Sequence, residues 1–498
     1  MKIHWKKILI GLAVLAVGLI AGSYLFVLLY DFDGLKPKIT RAVYEATGRE
    51  LRIEGHIDVK PSLNPTLWAE DVRFQNAPWG SRPDLATVKR IEVQMALLPI
   101  LRGAFDLVRL RLVEPDIILE KDDTGTTNFQ FDGKGVEEAA WPTLIIRDVS
   151  VENGVFTYRD VDADRIVEVA LDRMGAVIPG LNRPIELDVK GRFQGAPFAA
   201  KGMTGPIIAW AREGYPFPVN LEVKYGESQA VIQGEIRNPR LFKDLSLTVS
   251  AEGPSLGEVV KRVGFSDVPN PGAFRVQARI EDPEETLAIR DLDIQIGSKD
   301  LVELLIQGEI KDLIGRGGIR LTFQAQGEDA ASLTKLGLPP PPRRGPFRVS
   351  GRITGGEADA YRLEDLRMTL SENEITGQVS LDLAEGSLHL TGRLHSNQFE
   401  LGPFDTTFAI TGPVDKLAVE SVHLELGTQQ TAKITLSGTI QDLNRLQGVD
   451  LNCKVSGEDL GNLSEIIGKP LPLRGPFKAS GKVSIPEHRH YQISHLKG

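Results

Sequence analysis

A single cysteine, Cys453, occurs in 498 residues. No internal disulfide can form, and no Cys-based metal cluster can be assembled. The alternation around it (Leu451, Cys453, Val455) reads as a strand carrying a small, inward apolar side chain. Aromatic residues are scarce as well, at 6%. An excess of positive charge is missing. The 58 Lys and Arg face 67 Asp and Glu, the net charge is -9, and no dense basic block appears, which argues against a nucleic-acid binder. No Gly-rich phosphate loop ending in Lys-Ser or Lys-Thr occurs, and no dinucleotide fingerprint sits between a strand and a helix. The eight histidines are scattered. His488 and His490 could share one strand face, but no third ligand completes a metal set. Ser332 and Lys335 have a Ser-x-x-Lys spacing that is common by chance. Asp122-Asp123 reads as a solvated turn. Without a nucleophile and its base, a hydrolase has little support. The expectation is a protein that is not an enzyme and takes no cofactor or metal.

Long apolar runs are absent with one exception. Ile8 to Tyr30 is 23 residues without a charge, about 35 Å as a helix and enough for a bilayer core. Lys2, Lys6 and Lys7 precede it, and Asp31 and Asp33 follow. This asymmetry predicts a cytoplasmic tail over 1–7, a single anchor over 8–30 and the remaining chain on the far side. A cleaved signal peptide is the rival reading, since Ala21-Gly22-Ser23 offers small residues, but the apolar run continues to Leu29. Leu35, Ile39, Val43 and Ala46 are then spaced for a short helix, with Pro37 at its start and Gly48 at its stop. Its narrow apolar stripe predicts a plug on the near end of a sheet.

What the chain has in abundance is an eight-residue pattern: apolar, any, apolar, two mostly polar residues, apolar, any, apolar. It occurs as Leu67, Ala69, Val72, Phe74; Ala86, Val88, Ile91, Val93; Phe105, Leu107, Leu110, Leu112; and Leu144, Ile146, Val149, Val151. Weaker or later copies are Val169, Leu171, Met174, Ala176; Leu287, Ile289, Leu292, Ile294; Tyr361, Leu363, Leu366, Met368; and Leu417, Val419, Val422, Leu424. A last copy opens at Tyr491, Ile493, Leu496 and is cut short, as in a fragment of a longer protein. Period-two alternation marks a strand with one apolar face. One extra residue would turn the second half to the wrong face unless the strand bulges there. The 50 Gly and 30 Pro punctuate strands throughout. The fold class is therefore mainly β: a long, twisted, repeat-built antiparallel sheet with short helices between repeats.

A larger repeat fills the C-terminal half. Gly308 to Leu313 matches Gly438 to Leu443, Gly327-Glu328-Asp329 matches Gly457-Glu458-Asp459, and Gly345-Pro346-Phe347 matches Gly475-Pro476-Phe477, all offset by 130. An earlier copy shows at Gly234-Glu235-Ile236 and Phe274 to Ile280. Short helical segments are expected at Leu256 to Val263, Leu333 to Leu336 and Leu460 to Ile467, each ended by prolines. The expected organisation is an N-terminal region over 31–140, a second β-region over 141–233 and repeated units over 234–498.

The stretch from Tyr30 to Phe131 resembles the N-terminal region of AsmA-family proteins. The resemblance rests on Leu35-Lys36-Pro37, Ala46-Thr47-Gly48-Arg49-Glu50-Leu51, Pro65-Thr66-Leu67, Asn76-Ala77-Pro78-Trp79-Gly80, Leu97 to Gly103, Leu119-Glu120, Gly125 and Asn128-Phe129-Gln130-Phe131. Phe129 departs from the Trp often found there. The resemblance implies a bacterial inner-membrane protein, N-terminus cytoplasmic and bulk periplasmic. It is similar to TamB-like and chorein-type bridge proteins, whose curved sheet forms a groove for lipid transport in outer-membrane biogenesis. No catalytic residue comes with it.

A groove fits the physics. About 25–30 strands at ~4.8 Å spacing would reach about 120–145 Å. Two acyl chains with about 30 CH₂ groups cost on the order of 20 kcal/mol in water, which an apolar trough removes. Periodicity alone also allows a sealed β-sandwich. The candidate groove lining is Leu67, Val72, Phe74, Leu292, Ile294, Leu366, Val422 and Leu424. The expected partners are membrane phospholipids, the inner membrane and a far-end protein. The rival function is a scaffold for outer-membrane protein assembly that conducts no lipid.

Overall fold

A computed structural model describes residues 18, 30–60, 62, 64–96, 106–131, 145–162, 165–211, 215–239, 243–262, 270, 272–282, 286–298, 300–336, 344–383, 387–398, 402–413, 416–462, 474–485 and 492–498. Apart from Gly18 and Tyr30, the expected anchor over 8–30 lies outside them, as do Gly133 to Trp141, His488 and His490. Among the described residues no helix is long and apolar enough to cross a membrane. The chain divides into two units, residues 1–242 and 243–498.

The first unit opens with a 3₁₀ turn, Phe32–Leu35, and helix α1, Lys36–Thr47. Pro37 occupies the first turn, where its missing N–H costs nothing. Gly48 ends the helix in the left-handed region (φ 70°) and returns its N–H to the Tyr44 carbonyl. Phe32 and Leu35 of the 3₁₀ turn and Ile39 of the helix pack on a core of Ile57, Ala69, Val72 and Val88, while Ala46 of the expected stripe is exposed. Eleven strands follow: β1 (Leu51–Ile53), β2 (Ile57–Lys60), β3 (Thr66–Gln75), β4 (Asp84–Met95), β5 (Asp106–Lys121), β6 (Ile145–Asp160), β7 (Arg165–Val177), β8 (Ile185–Phe193), β9 (Ala196–Thr204), β10 (Phe217–Tyr225) and β11 (Ser228–Asn238). A single helical turn, α2 (Ile208–Ala211), joins β9 to β10.

From β3 to β11 each strand pairs with the next, while β1 and β2 share the outer side of β3. One expectation is corrected here. The sheet is mixed, because β5 and β6 run parallel from Asp106↔Ile145 to Lys121↔Asp160. A parallel pair needs a crossover of a dozen or more residues rather than a hairpin, and the sequence between the two strands is long enough for one.

The extra residue in the eight-residue pattern is where the sheet bends. Asp71 in β3 is left-handed (φ 49°), as are Glu114 in β5 (φ 49°) and Asn153 in β6 (φ 51°). The pairings on either side keep one register across β3 to β7, so these strands take the extra residue in step. The shift is absorbed at the two ends of this crease. On one side the outer strand breaks into β1 and β2; on the other β7 slips against β8 between Leu171 and Arg173, beside Gly191. A Cβ on Gly191 would lie 2.1 Å from the Ala170 carbonyl oxygen, so only glycine fits there.

The second unit has fifteen strands: β12 (Lys243–Gly253), β13 (Phe274–Glu281), β14 (Ala288–Ser298), β15 (Val302–Asp312), β16 (Gly317–Gly327), β17 (Phe347–Gly355), β18 (Ala360–Leu370), β19 (Asn373–Asp382), β20 (Leu388–Gln398), β21 (Phe404–Gly412), β22 (Ala418–Leu426), β23 (Lys433–Asp442), β24 (Gln447–Gly457), β25 (Phe477–Ile485) and β26 (Gln492–Lys497). Consecutive strands are antiparallel throughout, and no pairing among the described residues closes them into a barrel.

Every fourth strand carries the pattern's bulge. The register shifts between Ile289 and Leu292 in β14, Leu363 and Leu366 in β18, and Val419 and Val422 in β22, and again along β26. The strand after each of the first three holds a glycine opposite the restored apolar residue: Leu292↔Gly308, Leu366↔Gly377 and Val422↔Gly438. The 130-residue repeat is thus two four-strand modules in a row. Helical connectors precede three modules: α3 (Leu256–Arg262) and the 3₁₀ turns Ala330–Leu336 and Leu460–Asn462. The Gly-Pro-Phe signature belongs to these connectors. Phe347 pairs with Gly327 and Phe477 with Gly457, and each ring lies where a glycine Cβ would stand, 2.6 Å from it.

Candidate functional site

In the second unit strand pairing aligns mostly apolar residues into continuous rows. One runs Leu292–Gly308–Leu321–Ile353–Leu363–Val379–Gly392–Phe408–Val422–Gly438–Leu451–Val483–Ile493, from β14 to β26. A second runs Leu366–Gly377–Leu394–Thr406–Leu424–Leu436–Cys453–Gly481. Two predicted lining residues, Leu292 and Val422, fall in the first row, and two more, Leu366 and Leu424, in the second. Ile294 lies in a shorter row, Val276–Ile294–Ile306–Phe323. In the first unit Val72 pairs with Val88, Leu67 with Val93 and Phe74 with Ala86.

The alternate positions are polar. Gln277–Asp293–Gln307–Thr322–Arg352–Glu364 crosses β13 to β18, and Arg367–Thr376–His395–Asp405–Glu425–Thr435–Lys454 crosses β18 to β24. The bulge carboxylates belong to this face. Asp291 lies 2.7 Å from Arg279 and Asp365 3.2 Å from Arg352. Asp405 is held below the usual carboxylate range by the hydrogen bond from Arg393 at 3.0 Å. Such exposed pairs are worth less than about 1 kcal/mol each, so they set register more than they stabilise.

The degree of burial separates the two sheet readings. In the first row Leu292 is buried at 8% exposure, Ile493 is 64% exposed, and the side chains between are half-buried. Side chains sealed inside a sandwich would be buried along the whole row. Cys453 shares this apolar face and is half-buried.

The residues carrying the family resemblance converge elsewhere, at one buried polar clasp in the first unit. Glu120 (1% exposed), Asn128 (0%) and Asn76 (3%) form it. Asn76 Nδ2 donates to Glu120 Oε2 at 2.9 Å, and the Ser81 N–H donates to the same carboxylate at 3.0 Å. Asn128 Nδ2 donates to Asn76 Oδ1 at 2.9 Å, and its Oδ1 accepts the Glu120 N–H at 2.8 Å. Burial pushes the Glu120 carboxyl up, but the hydrogen bonds from Ser81, Asn76 and Arg159 outweigh it and the net direction is down. Gly80 must be glycine, because a Cβ there would meet the Asn76 side chain at 2.2 Å. Arg49 donates to the Asn128 and Gln130 carbonyls and lies 4.8 Å above the Phe131 ring, tying the end of α1 to the clasp. Fully partnered, this network is structural.

The remaining candidates are occupied locally. The Ser332 hydroxyl points at the Leu301 and Asp329 carbonyl oxygens, 2.6 and 2.7 Å away, which fixes a connector. Asp122 accepts the N–H groups of Thr124 and Thr126 in a turn. Among the described residues no group of three His, Cys, Asp or Glu could hold a metal.

The fold and this surface define a class: repeat-built β-proteins with one polar and one half-buried apolar face. Comparison with known proteins points to one family. Residues 1–171, the N-terminal third, match the model of the AsmA family. The chain is 23% identical over 322 residues to "AsmA family protein YhjG" of Escherichia coli (strain K12). That match covers 57% of this chain and 47%, about half, of the relative's length. No solved structure matches.

Proposed function

We propose that this protein is an envelope protein that carries phospholipid along the apolar face of its sheet, held at the inner membrane by the run from Ile8 to Tyr30. One observation carries the reading: rows of apolar side chains cross up to thirteen strands and stay half-buried rather than sealed. Leaving such a face to water alone is unfavourable, and acyl chains satisfy it without a fixed partner geometry. The AsmA-family match supports an envelope setting. Bulges and glycines keep the apolar side in register from module to module, which a conduit needs and a compact enzyme core does not.

Photocrosslinking tests this. A photoreactive residue at Leu292, Leu366 or Val422 should capture phospholipid in cells, and one at Thr322 or Thr435 on the polar face should not. Capture from neither face, with protein purified free of lipid, overturns the proposal.

The scaffold reading has one observation in its favour. Turn tips expose aliphatic side chains, Ile314 at 80% and Leu446 at 55%, where a protein could dock. Replacing both by Ser while lipid capture persists and assembly factors dissociate would support it.

A further inference from the structure

A cavity lies at the margin of the sheet in the second unit. On the polar face of the second unit, the ladder Arg320–Thr354–Arg362–Ser380–Thr391 lines it from β16 to β20. At the sheet margin beside that ladder stand Gly318, Gly355 and Ala360, which contribute little or no side chain. The space beside them measures about 660 Å³, within the range of small-molecule sites.

Three cations reach this space: Lys311, Arg320 and Arg362. Arg320 is 3.3 Å from Glu309, whose carboxylate Arg290 also holds. Among the described residues Arg362 makes no side-chain ion pair, and Lys311 adds its charge to those that lower the Glu309 carboxyl. The carboxylates of Glu357 and Asp382 stand at the margin.

The repeat supplies an internal control. Asp450↔Ser484↔Gln492 has the same pairing as Arg320↔Thr354↔Arg362, offset by 130. Lys311, Arg320 and Arg362 are replaced there by Gln441, Asp450 and Gln492. The module folds without these cations, so its architecture does not require them.

We infer that this margin cavity binds the phosphate of a polar phosphoester. Arg362, with Lys311 and Arg320 beside the shared Glu309 carboxylate, suits one phosphate group through charge-assisted hydrogen bonds. Glu357 at the margin disfavours a polyanion and favours an ester whose other end carries an ammonium or hydroxyl. The site is at the sheet margin, where Ile319, Tyr361 and Leu381 also line it, and its cations come from the polar ladder. The phosphoester can come from a lipid headgroup or from a free solute.

Calorimetry on the full chain in detergent tests this with two probes, glycerophosphoethanolamine and lysophosphatidylethanolamine. Glycerophosphoethanolamine should bind in a salt-sensitive manner, and the Lys311→Ala/Arg362→Ala double variant should weaken it at least tenfold. Gln441→Ala in the repeat should leave it unchanged. If the lyso-lipid gains at least tenfold over the ester, and that binding also falls in the double variant, the source is a lipid headgroup. If both bind alike, it is a free solute. Both exposed substitutions leave the apolar face intact, and an unchanged melting curve confirms the fold. No binding of either probe, or binding that the double variant does not alter, overturns the inference.

Discussion

Val422→Asp separates an uncovered apolar face from a sealed one by magnitude. Val422 is half-buried in its row, between Phe408 and Gly438. Gly438 has no side chain, so one flank of Val422 is bare backbone. Full burial of a valine is worth about 1.5–3 kcal/mol, so losing half of it costs about 1 kcal/mol. A carboxylate on an uncovered face keeps much of its water, which limits the total to about 2 kcal/mol. In a closed interior the same carboxylate would be unpaired and would cost several kcal/mol more. The assay is urea unfolding of the full chain, with Val422→Ala as the size control. The expected result is a folded variant within about 2 kcal/mol of wild type and with reduced lipid content. A variant that does not fold, or loses more than about 4 kcal/mol while Val422→Ala loses under about 1, refutes the uncovered face.

Three further outcomes follow from local geometry. Gly438→Ala should destabilise by about 2 kcal/mol or more, since its Cβ would stand 1.9 Å from the Asp450 carbonyl oxygen at a backbone φ of 155°; an unchanged urea midpoint would count against the glycine–bulge pairing. Ser396 is 2% exposed, faces Phe404 where other modules pair Gly with Phe, and its hydroxyl has no partner among the described residues, so Ser396→Ala should stabilise by about 1 kcal/mol; a lower melting temperature would show the hydroxyl is used. Asp33 is held down to about 2 by the Ile57 N–H, the His56 ring and Lys36. A depressed carboxylate gives stability that is complete above about pH 4 and lost as pH falls through about 2, so hydrogen-exchange protection of the Ile57 amide should fall across that window and not above it.

The bends were legible in the sequence because one surplus residue inside period-two alternation has only one structural remedy. Leu292, Leu366 and Val422 each follow a register shift at the place where the pattern gains its residue. Strands such as Ile185–Phe193 were legible from alternation and flanking glycines. The parallel β5–β6 pair was not, because strand direction depends on the route of the 122–144 connection, which carries no periodic signal. The four-strand module was masked by connectors of unequal length, so only its doubled form showed in sequence. Asn76, Glu120 and Asn128 appeared as family signatures, but their meeting depends on pairing between distant strands. The margin cavity depends on register across five strands, and only the lost cations in the repeat hinted at it.

The account rests on acyl chains lying against the apolar face, and the single native cysteine tests it. Cys453 is on that face, and its neighbour Lys454 is on the polar one. A fluorophore on Cys453, in protein loaded with phospholipid brominated along its chains, should be strongly quenched. The same fluorophore on Lys454→Cys in a Cys453→Ser background should not be. Equal quenching at both positions, or none at Cys453, contradicts the account.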